Sequence, residues 1–376
     1  MRVLFVEDDE PTVEDARKLL CEQGHECDVT GFKQSEEHIA GFDPDVIVLD
    51  LLQGPPQDRD TPGNKVFDDV WKQQFCPIIV YSAEPSLLEF GEASHPFVTR
   101  VKKGLGSPRK LAESIEEVRP YAQGLRSTIA YVRRELSRVF RDMAPDVFTQ
   151  FNDEKERQTV LTRSGRRRLA ALMDGPPDGG HEMLKPWEHY LCPPLSADLQ
   201  LGDVLRATGK SKTDPHSFRV VLTPSCDLVR SNDRLPKVAE VLLARCRPTG
   251  DGLAKTPIGR PSSKCGTNEA ETNKLHDRLR GTLLSQGYCV PVIAFPEIKG
   301  KVPFMLADVR DLELAEIAHI NDEYERVASI DSPFRELVSW AYMQVACRPG
   351  LPDRDEDALF DELIASLAES DDSEKT

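Results

Sequence analysis

The chain has 376 residues, of which 39% are hydrophobic and 30% charged, and its formal charge is −16. That length exceeds one ordinary hydrophobic core and implies two or three domains, while no stretch approaches the roughly 18 apolar residues that a membrane helix needs, which argues against a membrane protein. The acidic balance opposes general attraction to nucleic acid and leaves only a local basic patch as a route to it.

The chain opens with a short apolar run, Val3 to Val6, followed by Glu7, Asp8, Asp9 and Glu10. This reads as a buried strand rather than a secretion signal, and nothing in it directs the protein out of the cytoplasm. Short β-branched runs at 2–6, 27–30, 46–49, 78–81 and 97–101 alternate with amphipathic stretches at about 12–23, 33–40, 64–73, 84–92 and 108–118. Strands this apolar are expected where helices cover both faces of a parallel sheet. Gly24 sits where a helix C-terminal cap belongs, and Pro108 suits a first helical turn after Ser107. The pattern predicts an α/β domain over 1–121, a doubly wound (βα)5 parallel sheet.

Beyond Pro120, Leu125, Ile129, Val132, Leu136, Val139 and Met143 step by four and three, which predicts a helix with one apolar stripe. The stripe implies either a homodimer through 125–143 or docking on its own domain. A second helix over about 153–173 completes a helical connector, 122–175, before the glycines and prolines at 175–180. Residues 176–350 are expected to form a β-rich or α+β domain, with strands at 219–223, 238–244 and 289–295 and helices at 323–328 and 333–345. Residues 351–376 read as a terminal helix and a disordered acidic tail. The nine cysteines form no CxxC pair, so reduced thiols in a cytoplasmic protein are a simpler account than a disulfide framework or zinc ribbon.

The chemistry concentrates in the first domain. Glu7, Asp8 and Asp9 follow the first strand and Asp50 ends the third, and in an open parallel sheet the carboxyl ends of adjacent strands share one crevice. Several carboxylates together call for a cation, and Mg²⁺ suits oxygen ligands. Ser82 follows the fourth strand and Lys103 the fifth, where a hydroxyl and an ammonium could hold the oxygens of a phosphoryl group.

An acidic cluster after strand one, Asp after strand three, Ser-Ala after strand four and Lys after strand five occur in the order and approximate spacing of the receiver domains of two-component response regulators, which the first third of the chain resembles. The resemblance implies that Asp50 is the phosphoacceptor, that Glu7, Asp8 and Asp50 hold Mg²⁺ with the backbone carbonyl of Leu52, and that Ser82 and Lys103 are the switch hydroxyl and the phosphate-pairing lysine. It implies a sensor histidine kinase or phosphotransfer protein as partner and an output module switched by the aspartyl phosphate. The chain departs from the family at Gly104, where proline is usual, which leaves Lys102 as a substitute for Lys103. It departs again at Thr99 and Arg100, one of which stands at the usual aromatic position, and in the long loop 51–63.

Other signals are weaker. Arg163, Arg166, Arg167 and Arg168 read as a solvated helix face, and no helix-turn-helix pattern supports DNA binding. Cys226 reads as a buried structural thiol, with a nucleophile near Asp227 and His216 as the alternative. His189 and Cys192 could give two of the four ligands that a zinc site needs. No separate catalytic domain is recognisable, so the output is expected to act by binding a protein, with a phosphorylation-gated enzyme or a nucleic-acid-binding effector as the alternatives.

Overall fold

The structure is a computed structural model, and it describes residues 1–53, 61–73, 75–88, 95–174, 183–230, 235–254, 256, 258–264, 266–283, 291–347, 355, 357–362 and 364. The chain divides into two compact units, Met1–His181 and Glu182–Thr376. The linker at 175–180 and most of the terminal segment, including the acidic tail, lie outside the described residues.

The first unit is built on strands β1 (Arg2–Val6), β2 (Glu26–Thr30), β3 (Val46–Leu49), β4 (Ile78–Ser82) and β5 (Val98–Lys102). All are parallel, in the order β2-β1-β3-β4-β5. Helices α1 (Glu14–Glu22), α2 (Ser35–Phe42), α3 (Pro62–Gln73) and α4 (Ser107–Gln150) cover the sheet. Side chains alternate across the pleat. Val3, Phe5, Val48 and Ile79 pack with Leu20 of α1 and Leu111 and Ile115 of α4, whereas Leu4, Val6, Ile47 and Val80 pack with Ile39 of α2 and Phe67 of α3. The central strands are therefore apolar on both faces, which made them readable in the sequence.

The expected helix at 84–92 is instead a single 3-10 turn, Pro85–Leu87, followed by extended backbone at Leu88; residues 89–94 lie outside the described residues. The expected break near 120 is absent, so the boundary drawn at 121 falls inside the 44-residue helix α4. An interior proline costs a helix about 3 kcal/mol. Here Val118 and Ala122 are buried on either side of Pro120, and Met143 and Val147 bracket Pro145, so packing outweighs the lost hydrogen bonds.

Helix α5 (Glu154–Met173) starts at Asp153, whose carboxylate accepts from the Glu156 N–H at 2.8 Å. Its Val160 and Leu161 cover Val139, Met143 and Val147 of α4. Gly165 lies under the Phe140 ring, which a Cβ would approach to 2.9 Å. The C-terminal half of the apolar stripe is thus covered within its own unit, whereas Ile129 is exposed.

The second unit holds an antiparallel sheet of seven strands, in the order β10-β11-β9-β8-β7-β12-β6. The strands are β6 (Tyr190–Leu191), β7 (Asp203–Ala207), β8 (Phe218–Val221), β9 (Glu240–Arg247), β10 (Val292–Phe295), β11 (Met305–Glu316) and β12 (Tyr324–Ile330). The residues expected as a helix at 323–328 are therefore mostly strand. Their charges mislead: Arg206 pairs with Glu325 and Arg326 with Asp203, so these polar positions are ion pairs across neighbouring strands. The final expected helix is present at Phe334–Ala346. Among the described residues no helix is long and apolar enough to cross a membrane.

Candidate functional site

The carboxyl ends of β1, β3, β4 and β5 bring Glu7, Asp50, Ser82 and Lys103 to one edge of the first sheet. Backbone hydrogen bonds hold the carriers in place: Asp50 N–H donates to Val6 O at 3.0 Å and Lys103 N–H to Ser82 O at 2.9 Å. The Lys103 ammonium donates to Asp50 Oδ2 at 2.6 Å, to Glu7 Oε2, and to Thr12 Oγ1 at 3.4 Å. Asp50 Oδ1 accepts from the N–H groups of Leu51 at 2.6 Å and Leu52 at 3.2 Å. One carboxylate oxygen is thus turned toward its own backbone and the other toward the cation.

Burial governs the electrostatics. Desolvation raises the Glu7 carboxyl to about 7 against the opposing pull of Lys103, and the neighbouring Asp50 pushes the same way as burial. Burial draws Lys103 down, but the charges of Asp50 and Glu7 outweigh it and hold the ammonium above its ordinary value. The Ser82 hydroxyl is fully buried and, among the described residues, has no hydrogen-bond partner. A buried hydroxyl with nothing to bond is costly unless a further group completes it.

Asp8 is exposed, and the side chain of Leu52 is buried. Of the two lysines, Lys103 reaches the carboxylates, whereas Lys102 is exposed. Thr99 is half-buried and Arg100 exposed. Residues 54–60 of the long loop lie outside the described residues. Among those described, no three His, Cys, Asp or Glu side chains converge to hold a metal ion by themselves.

Several residues at the site had no sequence signal. Gly63 packs so closely beneath the phosphoacceptor candidate that a Cβ there would stand 2.2 Å from Asp50 O and 2.5 Å from Leu51 Cα. Thr12 reaches Lys103 from the loop before α1. Tyr81 and Ser107 share a buried hydrogen bond of 2.6 Å beside the lysine. Tyr81 lies in the apolar run 78–81 and Ser107 stands before the helix start at Pro108, but neither pattern marks its residue as part of the site.

In the second unit Cys226 is exposed, contrary to the expectation of a buried thiol. It lies in the short helix Ser225–Leu228, where Leu228 turns to the core and a residue two positions earlier points away from it. His189 stacks on Phe334 with ring centroids 3.8 Å apart, and Lys301 Nζ donates to Cys192 Sγ at 3.3 Å. Arg163, Arg166, Arg167 and Arg168 of α5 are exposed, as a solvated face requires.

No family model matches the chain, and no curated protein matches it either. Among solved structures it is similar to the N-terminal domain of a response regulator/sensory box/GGDEF three-domain protein from Carboxydothermus hydrogenoformans, with 18% identity over 33% of this chain and 99% of that one and a TM-score of 0.26. A sensor protein from Polaromonas sp. JS666 is 22% identical over 32% of this chain and 97% of that one, with a TM-score of 0.27. The BeF3-activated N-terminal receiver domain of Klebsiella pneumoniae RstA is 22% identical over 30% of this chain and 94% of that one, with a TM-score of 0.22. The strand order β2-β1-β3-β4-β5, with helices on both faces and acidic residues at the carboxyl ends, is the doubly wound order of receiver domains, and the N-terminal unit has that fold.

Proposed function

We propose that the N-terminal unit is a phosphoacceptor switch, in which Asp50 takes a phosphoryl group from a sensor histidine kinase or a phosphotransfer protein. The observation that carries this reading is the Lys103 ammonium, 2.6 Å from Asp50 Oδ2 and also bonded to Glu7, at the shared carboxyl ends of the strands. A carboxylate oxygen of Asp50 attacks phosphorus, and a P–O bond forms as the P–N bond to the donor imidazole breaks. The leaving nitrogen takes up a proton. Lys103 then faces the oxygens of the new aspartyl phosphate, and the Ser82 hydroxyl, which has no partner among the described residues, donates to another.

The donors suit a hard divalent cation: Glu7 and Asp50 are buried carboxylates, and Asp8 is adjacent to Glu7. Mg²⁺ would be held by Glu7, Asp8, Asp50 and the backbone carbonyl of Leu52, and it would supply charge neutralisation and orientation of the phosphoryl oxygens. The aspartyl phosphate biases a two-state surface only as far as it contacts the two states differently. The C-terminal unit is then the output, acting by binding a protein. A cytoplasmic site of action accords with reduced thiols and with the proposed donor.

Acetyl phosphate with Mg²⁺ tests this reading on the full-length protein. One phosphoryl adduct, on Asp50, is expected by mass spectrometry, and Asp50→Asn should carry none. An unchanged adduct on that variant would remove the assignment. Cys226→Ser separates a binding output from an enzymatic one, since an unchanged output in a folded variant excludes a thiol mechanism.

A further inference from the structure

We propose that Tyr81 and Ser107 are positioning residues for Lys103, fixing the loop that carries the ammonium and joining it to the first turn of α4. The inference rests on the phosphoacceptor reading and adds two hydroxyls to it. Lys103 directly follows β5, and the chain then passes through Gly104 at φ +156°, a conformation that L side chains rarely adopt. A glycine beside the functional lysine would leave the loop free unless something else held it. Ser107 does so from both directions: its Oγ accepts the Gly104 N–H at 3.1 Å, and its own N–H donates to Gly104 O at 3.1 Å.

The same Oγ shares a 2.6 Å hydrogen bond with the Tyr81 hydroxyl. Tyr81 and Ser107 are each only 3% exposed, so the pair is shielded from water that could replace either partner. Tyr81 is itself anchored in the core beside Leu111, and the Lys103 ammonium lies 5.7 Å from the centre of its ring. The path therefore runs from a rigid central strand through two hydroxyls to the backbone next to Lys103. Its other end is the first residue of a 44-residue helix, so a change in the charge that Lys103 faces reaches α4 through the same bonds.

A purely structural pair would stabilise the fold without affecting chemistry at Asp50, and kinetics on the full-length protein separate the two. Tyr81→Phe keeps the ring and removes only the hydroxyl. It should lower the initial rate of Asp50 labelling by acetyl phosphate at saturating Mg²⁺ by about two- to tenfold, the net worth of one neutral hydrogen bond. Ser107→Ala should do the same, and the double variant should be no slower than the slower single variant. Ser107→Thr, which keeps a hydroxyl, should recover most of the rate. In a Lys103→Ala background, Tyr81→Phe should change nothing, because the hydroxyl acts through the lysine. A parental rate in Tyr81→Phe, or the same fold-loss persisting without Lys103, overturns the inference while leaving the phosphoacceptor reading intact. A parent that takes no label removes both. If Ser107→Ala fails to fold, as its melting curve would show, Tyr81→Phe and Ser107→Thr still decide the matter.

Discussion

The Lys103 ammonium lies 2.6 Å from Asp50 Oδ2 and also donates to Glu7, so a single positive charge answers two buried carboxylates. All three side chains are largely excluded from water, with 17%, 8% and 4% of their surface exposed for Lys103, Asp50 and Glu7. Removing one member of a buried ionic group leaves an uncompensated charge, which costs about 3–5 kcal/mol. Lys103→Ala should lose stability of that order in the presence of a chelator. Mg²⁺ should restore more stability to this variant than to the parent, because the freed carboxylates can then meet a cation. Denaturant unfolding with and without Mg²⁺ measures both terms. Equal Mg²⁺ responses would show that the cation does not bind at these carboxylates.

Gly63 offers a test of the backbone under the site. A Cβ there would meet Asp50 O at 2.2 Å and Leu51 Cα at 2.5 Å, and both are main-chain atoms that cannot swing aside. Gly63→Ala should therefore displace the start of the loop after β3, at a cost of about 1–3 kcal/mol, the usual range for overpacking. It should also slow acetyl phosphate labelling of Asp50. A variant with parental melting and labelling would mean that this approach is relieved at no cost.

The sequence disclosed the first unit far better than the second, and the reason is burial. Strands such as Val46–Leu49 are covered on both faces, so they appear as uninterrupted apolar runs bounded by turns. In the second unit, Met305–Glu316 carries Asp308, Arg310, Asp311 and Glu313 within one strand, and Tyr324–Ile330 carries Glu325 and Arg326. The charges resemble a solvated helix until their partners are known: Glu313 takes hydrogen bonds from Arg219, Arg245 and Tyr324, which lie on three other strands. Such pairs join residues distant in sequence, and a local pattern cannot contain them. The same limit applied at the site, where Asp50 and Lys103 belong to a recognisable order but Tyr81 and Ser107 meet only after folding.

His25 gives the first unit an acid limb. Its side chain is fully buried at the start of β2, with Nε2 3.2 Å from Glu116 Oε1 and 3.1 Å from Arg119, while Nδ1 has no partner among the described residues. Burial lowers its pKa; Glu116 opposes this, and the N-terminal ammonium and Arg119 reinforce it. A base with a lowered folded-state pKa contributes stability that is complete above its ordinary value of 6.5 and is lost as pH falls from there toward the folded value. The parent should therefore lose stability below that pH faster than His25→Gln, which has no proton to take up. Parallel stability profiles for the two proteins would exclude His25 as the source of this limb.

The last expectation separates the two halves of the α4 stripe. Met143 is 2% exposed and lies between Val139, Val147 and the α5 residues Val160 and Leu161, whereas Ile129 is 43% exposed. Truncating a buried methionine costs about 2–5 kcal/mol, while exposed positions usually change stability by less than about 0.5 kcal/mol. Met143→Ala should accordingly open the α4–α5 hairpin at a lower temperature, and Ile129→Ala should leave it unchanged. Because α5 of the same chain covers Met143, the Met143→Ala shift should not depend on protein concentration. Helical melting curves at two concentrations check this. A shift that shrinks as concentration rises would mean that a second copy, rather than α5 alone, completes the cover over this half of the stripe.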